Sequence, residues 1–313
     1  MRNTFRLRMR VLFISMVVIF GLCSINGFAQ EGFKNINGVK LYYKIIGTGT
    51  PIVVLHGGPA LDHSYLLPQM ANLANDYQLI FFDQRASGKS TGESDTASLT
   101  INNFVEDIEG IRKAFNIDKM NLMGHSWGGL LAMEYAVKYP DHLRSLILLN
   151  PSPASALYRD QLFRNMAAVR PPQDTTELET IEKSEGFKNK SPETMTKYFR
   201  LLLKSMFYNA AYSDSLTLTF DTSYARKSNA LFRYLSNDLK EYDISGDLEK
   251  ITCPKLFIEG DQDPIPAEAI YQIRSNLHNT KYVLLEHCGH FPYIEQPDKF
   301  LNAIKEFMNG LDK

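Results

Sequence analysis

One hexapeptide, Gly124-His125-Ser126-Trp127-Gly128-Gly129, limits what this chain can fold into more than any other stretch. An apolar run, Lys119-Met120-Asn121-Leu122-Met123, precedes it, and a helical run from Leu130 to Val137 follows. A G-x-S-x-G string set between a strand and a helix reads as a sharp reversal that pushes the serine out over the end of a sheet. Gly124 and Gly128 fit that turn because it leaves no room for side chains on either side of Ser126. The string alone also describes an ordinary glycine-rich turn; the strand before it and the helix after it select the elbow.

A serine hydroxyl is a weak nucleophile near neutral pH and needs a base held by a third group. On elbows of this kind the chain order is serine, then an acid, then histidine. That order is met here. Leu256 to Gly260 reads as a buried strand with Asp261-Gln262-Asp263-Pro264-Ile265-Pro266 as its exit loop. Tyr282 to Glu286 reads as the next strand, with His287-Cys288-Gly289-His290-Phe291-Pro292 leaving it. Loops at the carboxyl ends of parallel strands are where such sheets carry chemistry. The candidates are therefore Ser126 as nucleophile, Asp263 as acid and His290 as base. Asp261 and His287 are the rivals. Asp263 lies further out, ahead of a proline-rich turn, and Gly289 frees the backbone that aims His290. His287, Cys288 and His290 are spaced too tightly, with too few other ligands nearby, for a metal site. No metal or cofactor is expected.

Acyl transfer also needs hydrogen-bond donors for the developing oxyanion. The apolar run Pro51 to Leu55 ends in His56-Gly57-Gly58-Pro59, where two glycines let a backbone N–H approach a substrate. The residue after the nucleophile, Trp127, supplies the other N–H.

Around these motifs, short apolar runs at 52–55, 78–82, 120–123 and 145–149 alternate with helical stretches near 64–75, 101–115 and 127–138. Such alternation implies crossover connections and a mostly parallel sheet. Asn37-Gly38, between Phe33–Asn35 and Val39–Ile46, signals a hairpin with a type I′ turn. From Pro151 to about Gly246 strands disappear, and helices are expected at 158–169, 176–184, 193–206 and 224–239. The expected organisation is a core of residues 30–150 and 247–313, with a helical cap of residues 151–246 inserted between the sixth and seventh core strands. The cap is rich in aromatic residues, some of which would line an apolar pocket.

Residues 1–29 are set apart. Arg2, Arg6, Arg8 and Arg10 precede an apolar segment from Val11 to Leu22, and Gly27-Phe28-Ala29 has the small-x-small form of a cleavage site. The segment reads as an export signal, with an uncleaved anchor as the alternative, so the protein is expected to be periplasmic or secreted without stable membrane association. Removing it takes four arginines from 34 basic residues and leaves 30 against 35 acidic ones, a formal charge of −5. No basic stripe remains for nucleic acid. Cys253 precedes one strand and Cys288 follows its parallel neighbour, so they lie at opposite sheet ends and are expected to be free thiols.

Taken together, His56-Gly57-Gly58-Pro59, Asp83-Gln84-Arg85-Ala86-Ser87-Gly88-Lys89-Ser90 and the elbow resemble the proline iminopeptidase group of α/β-hydrolases, which includes tricorn-interacting aminopeptidases. Gly260-Asp261-Gln262-Asp263 and His287-Cys288-Gly289-His290 resemble its acid and histidine loops. The resemblance covers most of residues 35–150 and 250–310. It implies an α/β-hydrolase fold, the roles above for Ser126, Asp263 and His290, and oxyanion N–H groups from Gly58 and Trp127. Ala60 and Ala86 stand where the group usually has glycine. Aminopeptidases of the group hold the substrate α-amine on cap glutamates, often beside tryptophan. Here the single tryptophan is in the elbow, and the stretch 231–238 has no glutamate. Glu177, Glu179, Glu182, Glu185 and Glu193 are the remaining cap candidates, matched to no motif. The resemblance implies release of N-terminal proline or small apolar residues from short peptides; a carboxylesterase or lactonase on the same scaffold is the alternative. A non-catalytic binding protein is disfavoured by the complete Ser, Asp, His set. The mature chain should begin near Gln30, and N-terminal sequencing of protein from its native compartment checks this.

Overall fold

The computed structural model describes residues 29–311. The expected export segment, apart from Ala29, and Cys23 lie outside them. Eight strands form one sheet: β1 (Gln30–Ile36), β2 (Val39–Ile46), β3 (Pro51–Leu55), β4 (Gln78–Phe82), β5 (Met120–His125), β6 (Leu143–Leu149), β7 (Lys255–Gly260) and β8 (Thr280–Leu285). Their order is β1-β2-β4-β3-β5-β6-β7-β8. The β1–β2 and β2–β4 pairs are antiparallel, and every pair from β4 to β8 is parallel. The hairpin turn is as the sequence reads, with positive φ at Asn37 (48°) and Gly38 (79°).

β3, β5 and β6 carry nearly continuous apolar runs because both faces are covered. One hydrophobic cluster, including Leu55, Leu122, Leu131 and Phe257, packs on one face. A second, including Val54, Met123, Ile147 and Phe300, packs on the other. The chain leaves β3 toward β4 on one side, then returns to place β5 on the other side of β3. This reversal of strand order opens a crevice at the carboxyl ends of β3 and β5, where ligands sit in such sheets. The Gly57-Gly58 loop and Ser126 follow those two ends.

Between β6 and β7 the described chain forms helices and loops, with no strand beyond one isolated bridge, Ser155 to Asp243. The longer helices are Arg159–Ala168, Pro172–Glu182, Pro192–Lys204 and Tyr224–Leu235, with shorter ones at Glu185–Lys188 and Asp238–Glu241. The expected helix near 64–75 is instead two 3₁₀ segments, His63–Leu66 and Gln69–Asn75. Pro68 explains the difference: the residue before a proline is driven out of the α region, and Leu67 is extended at φ −104°, ψ 152°. Cys253 and Cys288 are buried and free.

One close backbone approach lies where the elbow meets β3. A Cβ at Gly128 would stand 2.5 Å from the Leu55 carbonyl oxygen and 2.6 Å from that of His56. Both are backbone atoms at the end of a central strand, so neither can yield cheaply. Gly128→Ala should destabilise the fold by about 2 kcal/mol or more, at the upper part of the overpacking range, which urea denaturation of the purified protein measures.

Candidate active site

β5 ends at His125, and the helix Trp127–Lys138 begins directly after Ser126. The turn between them forces Ser126 to φ 56°, ψ −121°, a conformation costing about 1–3 kcal/mol for a residue with a side chain. Four hydrogen bonds hold it. Ser126 N–H donates to Leu149 O (3.1 Å), and Ser126 O accepts from Gly129 N (2.8 Å), Leu130 N (3.2 Å) and Ser152 N (2.9 Å). Gly124 is required because a Cβ there would lie 2.2 Å from Gly128 O.

The structure brings Asp263 and His290 together. His290 Nδ1 lies 2.8 Å from Asp263 Oδ2, and both side chains are almost wholly buried. Asp263 also accepts from Asn150 Nδ2 through Oδ2 and from Ile265 N through Oδ1 (3.1 Å). With Nδ1–H engaged by the carboxylate, Nε2 is the histidine's remaining basic position. His290 and Ser126 line the same cavity. The two rivals lie elsewhere. Asp261 is exposed and accepts from Cys288 N (3.1 Å). His287 is exposed, with its ring against Tyr208.

A chain of buried hydrogen bonds ties the Gly57-Gly58 loop to the histidine loop. Gly57 N–H donates to Tyr65 Oη (2.6 Å), Tyr65 Oη lies 2.6 Å from His125 Nδ1, and His125 Nε2 lies 2.8 Å from His290 O. A carbonyl can only accept, so His125 carries its proton on Nε2 and Tyr65 must donate to Nδ1. Burial, with His290 nearby, holds the His125 pKa well below the ordinary histidine value, so the ring is neutral. Gly57 N–H is thereby occupied, while Gly58 N–H has no acceptor among the described backbone pairs. Trp127 opens its helix, where an N–H has no intrahelical partner. These are the two N–H groups expected to form the oxyanion hole.

The Asp83-Gln84-Arg85 motif supports this frame. Gln84 Nε2 donates to His56 O (2.7 Å), and Gln84 Oε1 accepts from Trp127 Nε1 (2.8 Å). Its own N–H donates to His56 Nε2 (3.0 Å), a ring whose pKa burial lowers to about 4. Arg85 makes a two-pronged ion pair with Asp107, at 2.8 and 2.7 Å. On the far side, Glu295 joins the histidine loop to the cap through Gly289 N (2.7 Å) and Asn209 N (3.0 Å). His290 N donates to Met206 O (2.8 Å). Tyr65, Asn150 and Glu295 had no sequence signal, since each acts on a partner far along the chain.

The cavity over Ser126 has a volume of about 390 Å³. Its wall is mostly apolar and aromatic, with Leu162, Phe163, Met166, Phe187, Tyr198, Phe199, Leu203, Tyr224 and Phe232 from the cap. Arg159 and Lys190 also line it, and no aspartate or glutamate does. All five cap glutamates named from the sequence are exposed, and none reaches the cavity.

Fold and site together define a serine hydrolase. The chain belongs to the alpha/beta hydrolase fold family, whose model matches residues 50–297, and within it is proline iminopeptidase-like. It is 32% identical to a proline iminopeptidase of Saccharolobus solfataricus over 90% of this chain and 92% of that protein. The identity is 31% with one of Heyndrickxia coagulans, over 90% and 99%. Among solved structures, an alpha/beta fold family hydrolase from Bacillus anthracis superposes with a TM-score of 0.72 at 20% identity, covering 89% of this chain and 99% of that one. A thermophilic esterase from Thermogutta terrifontis gives 0.62 at 24%, covering 91% and 100%.

Tyr65→Phe should separate the buried chain from the chemistry it supports. It leaves Gly57 N–H and His125 Nδ1 unpaired, which should cost about 1–3 kcal/mol. Chemical denaturation beside kcat/KM measures both consequences, and activity should fall further than stability alone explains.

Proposed function

We propose that the protein hydrolyses esters with a largely apolar acyl chain, or amides with no free amine at the scissile end, through an acyl-enzyme on Ser126. Ser126 Oγ attacks the carbonyl carbon while its proton passes to His290 Nε2. Asp263, accepting from Nδ1–H, stabilises the imidazolium that forms. Gly58 and Trp127 N–H groups take the oxyanion. Collapse of the tetrahedral species returns the proton to the leaving group, and water repeats the sequence to release the acid.

The cavity wall carries this reading. An N-terminal α-ammonium bound there would be desolvated with no carboxylate beside it, at a cost of several kcal/mol, and Arg159 and Lys190 would repel it. The iminopeptidase reading is the second one, supported by identity above 30% to two proline iminopeptidases across most of the chain.

Kinetics on three substrate types decides between them. p-Nitrophenyl esters of apolar acids should be turned over, and N-acetylation of a proline arylamide should not depress its cleavage. A free-amine arylamide cleaved about 30-fold better than its acetylated form, the size expected for a buried charge pair, would establish the iminopeptidase instead. In either case Ser126→Ala should abolish fluorophosphonate labelling and lower kcat by about 10⁴-fold. Adding His290→Ala should cost little more, because such groups act as a unit. His287→Ala should be far milder.

A further inference from the structure

Lys190 sits at an unusual place in the cap. It follows the short helix Glu185–Lys188 with φ 50°, a left-handed position that glycine usually takes because a Cβ there is strained. A lysine held there places a four-carbon side chain along the cavity wall. Nζ donates to Ser228 Oγ at 3.0 Å and stands 6.0 Å from the Tyr224 ring centroid. Among the described residues no carboxylate forms an ion pair with it. Burial pushes its pKa below the ordinary lysine value.

Arg159, the other cation of the wall, donates Nη1 to Leu239 O at 2.6 Å and likewise has no acidic partner among the described ion pairs. A mostly apolar cavity thus holds two cationic side chains and no anion. Both are half-buried, so each charge is only partly solvated and gains from a partner, and a ligand anion is the partner that the wall does not supply.

We propose that the substrate carries a carboxylate at the end remote from its scissile ester, and that Lys190 binds it, with Arg159 adding to the positive potential of the cavity. The proposal rests on the cavity being the acyl pocket of the Ser126 hydrolase. A monoanion fits better than a phosphate dianion. Lys190 is a single point charge, one of whose donors Ser228 already occupies, and a second negative charge would be left against apolar side chains.

Two C8 esters of equal length test this: the mono-p-nitrophenyl ester of suberic acid, ending in a carboxylate, and p-nitrophenyl octanoate, ending in a methyl group. The quantity read is the ratio of their kcat/KM values. It should fall about 10-fold or more in Lys190→Gln, as expected for loss of a partly buried charge pair. Lys190→Arg should retain it and Lys190→Glu should depress it further. An equal fall for both esters would mean a merely structural role and would overturn the proposal. So would an unchanged ratio with octanoate still hydrolysed through Ser126, and the proposed esterase activity would then stand alone. Binding gives a readout that needs no turnover. In Ser126→Ala protein, the fluorescence of Trp127, the single tryptophan of the chain and part of the cavity wall, should report tighter binding of monomethyl suberate than of dimethyl suberate. Adding Lys190→Gln should remove that preference. Equal binding of the two in Ser126→Ala overturns the carboxylate subsite even if neither p-nitrophenyl ester is a substrate.

Discussion

The elbow can exist only because β3, β5 and the helix after Ser126 meet with no side chain between them. Gly128 lies against the carbonyls of Leu55 and His56, and Gly124 against the carbonyl of Gly128. That contact fixes two things together. It holds Ser126 in its strained conformation, and it sets the end of β3 beside the end of β5, so that the Gly57-Gly58 loop and the Trp127 N–H share one crevice. A further close approach seals the arrangement: a Cβ at Gly57 would come 2.9 Å from the Ser126 Cβ. The strain of about 1–3 kcal/mol at Ser126 is borne by a sheet buried on both faces, which has no soft direction in which to relax.

Around that contact the polar groups form a connected frame. Neutral His125 and Tyr65 join the loop after β3 to the loop after β8. Gln84 joins the loop after β4 to the indole of Trp127. Asn150, itself at φ 42°, ties the end of β6 to both Asp263 and Gly289. Each crevice loop is held by a partner from another loop, so the positions of the candidate groups are properties of the whole sheet end. Half-satisfied networks of this kind would be costly in so dry a setting.

What the sequence made legible was local. The elbow, the β-strand runs, the Asn37-Gly38 turn and the order of Ser126, Asp263 and His290 all follow from residue spacing and turn chemistry. The failures have physical causes. The stretch 64–75 has helical composition, but Pro68 breaks it into 3₁₀ turns. Tyr65, Asn150 and Glu295 look like ordinary side chains until the fold brings in partners 60 to 113 residues away, or across the cap junction. The cap was the least legible part. Its helices were recognisable, yet which faces turn inward depends on packing over a cavity, and the glutamates that composition offered all face solvent.

The hydrogen bond from His290 N to Met206 O, with Glu295 reaching both Gly289 and Asn209, joins the middle of the helical insertion to the loop that bears His290. Residues 206–209 are therefore shared property: they belong to the cap by sequence and to the histidine loop by contact. Anyone grafting a relative's cap onto this core to change its substrate range inherits that junction. A splice that replaces these residues alters the mooring of His290 along with the pocket, whereas one that keeps them lets the cavity walls be exchanged above an undisturbed His290.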